Sequence, residues 1–218
     1  MIFPNTHGSP EADLNRLLEL IEQHNLVCPP DSVLALQTYR DTIAKWNDRV
    51  RIVSRQDTSR VLSKHVFESL LLASHIEGNP ARLADIGSGG GFPGIPVQAT
   101  RRDIKVTLVE AARMKCLFLK DAVKAIGLAG SEVVHERAEA FGKENPGLFD
   151  VTTSRAVGSL DVVWTLASPM LRDGGVHLAL KGPGEAGAEL ADSGVPFDET
   201  VVQVENRSVG IIRITKTP

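Results

Sequence analysis

Four glycines within five residues, between Gly87 and Gly91, constrain the fold of this chain more than any other feature. They follow a short apolar segment at residues 83–86, which predicts a buried strand with Asp85 near its carboxyl end. Glycine allows tight turns and close backbone contacts that a Cβ atom would block. Pro93 suits the first turn of a following helix. A strand, a glycine loop and a helix in this order are typical of a nucleotide-type pocket in an α/β sheet.

The loop fits two ligand-binding patterns. Residues 89–94 match G-x-G-x-x-G, which is typical of NAD-binding enzymes that hold a pyrophosphate at the glycine turn. Asp85, two residues before Gly87, would repel that pyrophosphate. S-adenosylmethionine (SAM) carries an ammonium group and a sulfonium group but no phosphate, so a carboxylate here favours SAM. We therefore predict SAM as the cofactor, bound around Asp85, Gly87 and Gly89. A glycine-rich turn without a ligand remains the alternative.

Composition and residue spacing argue against a membrane protein, a disulfide-stabilised protein and a metalloprotein. The 218 residues are 42% hydrophobic, and the sequence contains no run that approaches the ~20 apolar residues of a membrane span. We expect a cytoplasmic protein with no membrane partner, because residues 1–10 do not resemble a secretory signal. Cys28 and Cys116 are expected to be free thiols. The six histidines show no metal-binding spacing, so no metal is predicted. Nothing in the sequence requires an oligomer.

Charge is unevenly distributed along the chain. The net charge is −3, yet residues 40–64 contain seven basic and three acidic residues. This basic segment fits either a face that binds a polyanion or a solvated helix face, and charge alone favours neither.

Periodicity predicts two regions. Residues 1–78 contain three helical patterns, at 11–24, from an N-cap at Asp31 or Ser32, and at 58–74, and are predicted to form a helical cap. In residues 79–218 strands alternate with helices, which predicts a SAM-binding domain of α/β class with a doubly wound, mostly parallel sheet. Its seven predicted strands lie at residues 83–86, 106–110, 132–135, 149–153, 175–180, 197–204 and 209–215, the last two antiparallel.

Polar residues follow several of these strands. Glu110 ends the second strand, where a carboxylate can accept hydrogen bonds from a ribose diol, although it could instead cap the next helix. Ala138 and Glu139 follow the third strand and could meet an adenine ring. Arg155 and Lys181 follow the fourth and fifth strands, which predicts a basic mouth for a polyanion beside the SAM site.

The chain resembles the bacterial 16S rRNA guanine-N7 methyltransferase G family, also called RsmG or GidB, over residues 39–215. The loop continues as Phe92-Pro93-Gly94-Ile95-Pro96, a tail that is specific to this family among methyltransferases. The other matching motifs are Trp46-Asn47, Lys64-His65-Val66-Phe67-Glu68-Ser69 (Arg-His-x-x-Asp-Ser in the family), Phe118-Leu119, Ser154-Arg155-Ala156 and Ala179-Leu180-Lys181-Gly182. Two departures are Arg51-Ile52-Val53 in place of Asn-Leu-Thr and Met114-Lys115 in place of Lys-Arg.

The resemblance implies a class I SAM-dependent methyltransferase fold that acts on one guanine in a conserved loop of 16S rRNA, naked or within the small ribosomal subunit. It implies SAM contacts at Gly87, Phe92, Ala138, Glu139 and Arg155. Guanine N7 has a free lone pair, so in-line transfer needs positioning but no general base, and no catalytic residue is predicted. The helical cap at residues 1–78 is then expected to contact the RNA, and the candidate residues for RNA contact are His65, Arg155, Lys181 and Arg207.

Three other functions fit parts of this pattern. A SAM-dependent methyltransferase of a small molecule or protein would use the same pocket. A SAM-binding regulatory protein would need the pocket without the transfer. An NAD-dependent oxidoreductase would use the G-x-G-x-x-G frame.

Overall fold

The computed structural model describes residues 9–217, and its centre is a seven-stranded sheet with the order β3-β2-β1-β4-β5-β7-β6. Neighbouring strands are parallel except at β7, which runs antiparallel to both β5 and β6. The predicted α/β class and the mostly parallel seven-stranded sheet are therefore confirmed. The strands are β1 (Arg82–Ile86), β2 (Lys105–Glu110), β3 (Ser131–His135), β4 (Phe149–Arg155), β5 (Leu171–Lys181), β6 (Asp198–Val204) and β7 (Arg207–Thr215).

Helices cover both faces of this sheet. Those that alternate with strands are α4 (Gly94–Thr100), α5 (Arg113–Ile126), α6 (Ala138–Glu144), α7 (Leu160–Met170) and α8 (Glu185–Glu189). Three more precede β1, namely α1 (Pro10–Gln23), α2 (Pro30–Asn47) and α3 (Phe67–Ala73). The helix predicted at 58–74 is helical throughout but not uniformly α, because a 3₁₀ turn (Thr58–Arg60) and a π-helical segment (Val61–Val66) precede α3. Among residues 9–217, no helix is both long and apolar enough to span a membrane.

The predicted N-cap of α2 was wrong. The helix begins at Pro30, whose missing N–H costs nothing in the first turn. Ser32 is buried inside the helix, and its hydroxyl donates to the carbonyl oxygen of Ala99 at 2.7 Å. Pro93 also lies one residue earlier than expected, at the cap position of α4 rather than in its first turn.

The first three helices share one hydrophobic core with the sheet. Leu36 and Phe67 belong to the same buried cluster as Leu83 of β1 and Phe118 of α5. Helix α2 contacts α4 and α5, and α3 contacts α4 and β5. The boundary that we predicted at residue 78 therefore does not coincide with a break in the core.

The order of the sheet brings polar strand ends together. β1 and β4 are neighbours in the sheet although two strands lie between them in sequence. The strand that follows β1 therefore lies on one side of this pair, and the strand that follows β4 lies on the other. Such a position at the carboxyl ends of parallel strands is where α/β folds bind ligands. The glycine loop after β1 and Arg155 at the end of β4 meet there.

Candidate active site

The glycine loop after β1 is held in a closed turn. Gly87 has a φ of +64°, a left-handed conformation that favours glycine. The Ser88 amide donates to the Val109 carbonyl at 3.0 Å, and the Ser88 hydroxyl donates to the Asp85 carbonyl at 2.8 Å. These bonds fix the loop to both β1 and β2.

Asp85 lies behind the loop and not in a ligand pocket. Its side chain is completely buried, and its Oδ1 accepts a hydrogen bond from Thr153 Oγ1 at 2.9 Å. Its Oδ2 accepts a longer one, 3.3 Å, from the Gly94 amide. Burial raises the pKa of this carboxyl to about 7. Asp85 thus joins β1, β4 and the start of α4, and its contact with SAM stays a prediction.

Glu110 also supports the loop from behind. Its Oε2 accepts from the Gly89 amide at 2.8 Å, and its Oε1 accepts from the Ala112 amide, the cap residue of α5, at 2.7 Å. Glu110 therefore fixes the residue that precedes α5 but does not cap the helix, because no side chain in the described part of the chain accepts from the amides of its first turn. Each carboxylate oxygen has a second acceptor site, so these bonds are compatible with a ribose diol as an additional partner.

A cavity of about 280 Å³ opens in front of the loop. Asn47 shapes one wall, because its Oδ1 accepts from the amides of Ile52 and Val53 at 2.8 and 3.0 Å. We call this space the loop cavity; its lining residues are Ile52, Val53, Ser54, Asp57, His65, Gly87, Ser88, Gly89, Gly90, Phe92, Lys115, Arg155 and Ala156.

Arg155 is the centre of a polar network in this cavity. Its Nη2 lies 2.8 Å from Glu68 Oε2 and 2.5 Å from His65 Nδ1, and its guanidinium carbon lies 5.7 Å from the centre of the Phe92 ring. Glu68 is shared, because Arg207 pairs with its Oε1. Within residues 9–217, the buried Nη1 of Arg155 has no hydrogen-bond partner. A buried donor of this kind is suited to an acceptor group on a ligand.

His65 is neutral in this network. Burial and the adjacent Arg155 guanidinium lower its pKa to about 3. Arginine can only donate, so Nδ1 accepts from it and the proton lies on Nε2. Nε2 is 3.4 Å from Asp57 Oδ2, in a geometry that is not a hydrogen bond. Burial favours a neutral Asp57, but hydrogen bonds from Lys64 and Ser54 outweigh it and hold the pKa of Asp57 below its usual value.

A second cavity of about 390 Å³ adjoins the first and shares Arg155 and Ala156 with it. We call it the outer cavity; it is lined by Glu68, Arg155, Ala156, Leu180, Lys181, Gly182, Glu185, Arg207, Ser208 and Val209. Lys181 Nζ pairs with Glu189 Oε2 at 2.8 Å and also bonds the Gly158 carbonyl at 2.8 Å. Three of the four candidates for RNA contact, Arg155, Lys181 and Arg207, thus line the outer cavity. Arg155 and Arg207 pair with Glu68, and Lys181 pairs with Glu189.

The sequence-predicted cofactor residues divide into three groups. Gly87, Gly89, Phe92 and Arg155 line the loop cavity, whereas Asp85 and Glu110 support the loop from behind. Ala138 and Glu139 begin α6 beyond β3 and do not line the loop cavity. His65, predicted for RNA, lies in this cavity.

Sequence reasoning missed several residues of the network and the cavity wall. Asp57, Glu68, Ile52 and Lys115 all lie at the site. Three of them lie in segments that the family resemblance had already marked. Glu68 belongs to the motif Lys64–Ser69, and Ile52 and Lys115 lie in the two segments that depart from the family pattern. In the part of the chain that the structure describes, no group of His, Cys, Asp and Glu side chains could hold a metal ion.

Comparison with known proteins places these features in a family. The family model for rRNA small subunit methyltransferase G matches residues 33–206. The ribosomal RNA small subunit methyltransferase G of Staphylococcus carnosus is 34% identical over 184 residues, which cover 82% of this chain and 77% of that protein. The protein of the same name from Laribacter hongkongensis is 42% identical over 161 residues, which cover 73% and 76%.

Solved structures agree on the fold. The crystal structure of M. jannaschii TYW2 in complex with AdoMet matches with a TM-score of 0.55 at 13% identity, over 71% of this chain and 76% of that one. At this identity the match bears on the fold alone, which is that of the class I SAM-dependent methyltransferases, as predicted. The match of the family model over residues 33–206 and the relatives at 34% and 42% identity show that the chain belongs to the rRNA small subunit methyltransferase G family.

Proposed function

We propose that this protein transfers a methyl group from SAM to N7 of a guanine in a conserved loop of 16S rRNA. The observation that carries the proposal is the junction of two cavities at Arg155 and Ala156, one beside the glycine loop and one lined by cations. A methyl donor in the first and a nucleotide in the second would meet at this junction.

The loop cavity fits SAM in the character of its polar groups. The buried Nη1 of Arg155 and Nε2 of His65, which have no hydrogen-bond partner among residues 9–217, are donors suited to the carboxylate of an amino acid. Glu110 would accept from the ribose hydroxyls, and Ala138 and Glu139 at the start of α6 would contact the adenine. When bound, SAM supplies an electrophilic methyl group on a sulfonium.

The outer cavity fits a nucleotide. Lys181 and Arg207 supply donors for phosphate oxygens, and each would exchange part of its present pairing with Glu189 or Glu68 for the ligand. A guanine that reacts from an unpaired loop must leave its stack, which favours a pocket rather than a flat surface.

The chain's own residues contribute by positioning. Guanine N7 attacks through an existing lone pair, so no group has to remove a proton first. Neutral His65 keeps its proton on Nε2 and does not add a positive charge to the cavity. The transfer as proposed uses no metal and no second copy of the chain.

Mapping of N7-methylguanine in 16S rRNA tests the proposal. Because the proposed substrate is ribosomal RNA, we place the activity in the cytoplasm. In cells that lack the protein, we expect one guanine of 16S rRNA to lack its N7-methyl group. Small subunits and protein-free 16S rRNA from those cells, incubated with tritiated SAM and the purified protein, should regain label at that base.

Other outcomes would favour the other functions. Label in a metabolite or protein fraction, with none in rRNA, would indicate a different methyl acceptor. Tight binding of S-adenosylhomocysteine (SAH) without transfer to any fraction would indicate a SAM-binding regulatory protein. Thermal stabilisation by NAD and none by SAH would indicate an oxidoreductase.

A further inference from the structure

A groove between α2 and α5 lies outside both cavities. It encloses about 740 Å³ and is open to solvent along its length. Helix α2 contributes Lys45, Trp46 and Arg49, and α5 contributes Leu117, Lys120, Asp121 and Lys124. We call it the α2–α5 groove.

The groove has a strong positive charge. It contains four cationic side chains and one carboxylate, a net charge of +3. Within the described range 9–217, none of the four cations lies within 4.0 Å of a carboxylate. Other cations of the same basic segment are paired, since Arg40 pairs with Asp41 and Lys64 with Asp57. The positive charge that the sequence concentrates at residues 40–64 is therefore exposed mainly here and at Arg51 and Arg55.

The floor of the groove is aromatic and apolar. Trp46 packs edge-on against Phe118, with ring centres 6.1 Å apart, and its Nε1 donates to Asp121 Oδ2 at 2.8 Å. The single carboxylate of the groove thus fixes the indole and is not used against a lysine. Leu117 beside it is 43% exposed. Cations that flank a fixed aromatic side chain suit a single strand of nucleic acid, whose phosphates and bases contact both kinds of group.

Helix α2 connects the groove to the loop cavity. On α5, Lys115 lines that cavity, whereas Lys120 and Lys124 lie five and nine residues further along, a rise of about 8 and 14 Å, on another side of the helix. On the other helix, Asn47 directly follows Trp46 and holds the cavity wall at Ile52. A strand that leaves the cavity region could therefore pass the end of α2 into the groove.

We propose that the α2–α5 groove binds the sugar-phosphate backbone of single-stranded RNA that flanks the methylated base. This inference rests on the proposed function for the identity of the RNA. It gives the N-terminal helices a direct part in RNA binding, through a surface separate from the outer cavity.

Neutralising two lysines of the groove tests this role. The variant K120Q/K124Q removes two cations from α5, and the control K105Q/K143Q removes two exposed lysines from the amino end of β2 and from α6. Affinity for protein-free 16S rRNA is measured from 50 to 200 mM salt. We expect the groove variant to bind on the order of tenfold more weakly, with a slope of log K against log salt reduced by about 1.4 to 1.8. The control should change affinity less than twofold.

Trp46 provides a second readout that does not depend on activity. In a Trp164→Phe background it is the remaining tryptophan. Its emission should change when 16S rRNA is added, and the groove variant should need on the order of tenfold more RNA for the same change. SAH affinity should equal that of the wild type, which shows that the fold and the loop cavity are intact.

Two results would overturn the inference. One is equal RNA affinity and salt slope for the groove and control variants. The other is a loss that occurs with assembled small subunits but not with protein-free 16S rRNA, which would indicate contact with a ribosomal protein. Methylation of rRNA by the wild type, tested in parallel, shows separately whether the proposed function holds.

Discussion

Arg155 Nη2 donates a hydrogen bond to His65 Nδ1 at 2.5 Å, across 90 residues of sequence. The bond joins the end of β4 to the π-helical segment that precedes α3. The loop cavity therefore has one wall from the sheet and one from the N-terminal helices. A deletion of the helical segment would remove part of the proposed cofactor site as well as a proposed RNA-binding surface.

Replacement of Arg155 by lysine should weaken SAH binding. The guanidinium contacts His65 and Glu68 with one nitrogen and leaves the other for a ligand, whereas a single ammonium group cannot reproduce this geometry. We expect R155K to bind SAH about tenfold more weakly by calorimetry, a loss of about 1.4 kcal/mol. R172K changes the exposed arginine that pairs with Asp150 and should bind as the wild type does. Equal affinities of the two variants would contradict a role for Arg155 in binding.

Glu68 should be important for stability, because it compensates two arginines. Its carboxylate is almost fully buried and pairs with both Arg155 and Arg207. E68Q leaves those guanidinium groups without a counter-charge and should lower the free energy of unfolding by about 3 kcal/mol in urea denaturation. E68D retains the charge and should cost less. The exposed pair Arg16–Glu19 offers a comparison, since E19Q should cost under about 1 kcal/mol.

Glu110 is expected to affect ligand affinity through the loop. E110Q replaces one acceptor oxygen by an amide group that cannot accept from Gly89 or Ala112. A main-chain amide left without its partner costs about 1–3 kcal/mol, so both unfolding free energy and SAH affinity should fall. E132Q, on an exposed residue of β3, should change neither. If E110Q binds SAH as tightly as the wild type, the loop does not depend on this carboxylate.

The sheet was predictable from sequence because its signals are local. Each strand is a short apolar run, and each connection carries its own helix pattern or turn residues. The contacts of the Asp85 side chain were not predictable, because they depend on the register between β1 and β4, which places Asp85 opposite Thr153. That register aligns the two side chains on one buried face of the sheet, so Asp85 accepts a hydrogen bond from Thr153.

The Arg155 network depends on contacts that local patterns cannot encode. His65 and Glu68 lie on a helical segment whose position over the sheet is set by the packing of three helices. The basic segment shows the same limit, because only the structure distinguishes the paired Lys64 from the exposed Lys45.

Gly94 should tolerate no larger residue. A Cβ atom there would lie 2.5 Å from Leu108 Cδ2 and 2.9 Å from Asp85 Oδ2, both in the core. We expect G94A to lower the free energy of unfolding by about 2–3 kcal/mol because the start of α4 must move away from β1 and β2. Gly127 provides the matched control, with a φ of +70° but nothing within 4 Å of its added Cβ. G127A should show only the backbone cost of about 1 kcal/mol, and equal losses would indicate that the contacts at Gly94 are unimportant.

His177 gives the fold a dependence on pH that is independent of ligand binding. It is completely buried on β5, where Nδ1 lies 2.9 Å from Thr152 Oγ1 and Nε2 lies 3.1 Å from Ser154 Oγ. Burial lowers its pKa to about 3. One ring nitrogen accepts and the other donates, so the neutral ring satisfies both hydroxyls.

The pH dependence of unfolding should therefore differ between the wild type and H177N. Between pH 6.5 and pH 3 the unfolded chain binds a proton at residue 177 that the folded protein does not, so the stabilisation from the neutral ring is lost as the pH falls. From pH 7 to pH 5 the wild type should lose about 2 kcal/mol more unfolding free energy than H177N, which has no titrating group at this position. Urea denaturation at the two pH values measures the difference. H177N will be less stable than the wild type at pH 7, but this offset does not affect the comparison. Parallel pH profiles for the two proteins would mean that the buried ring takes up a proton in the folded state as readily as in the unfolded chain.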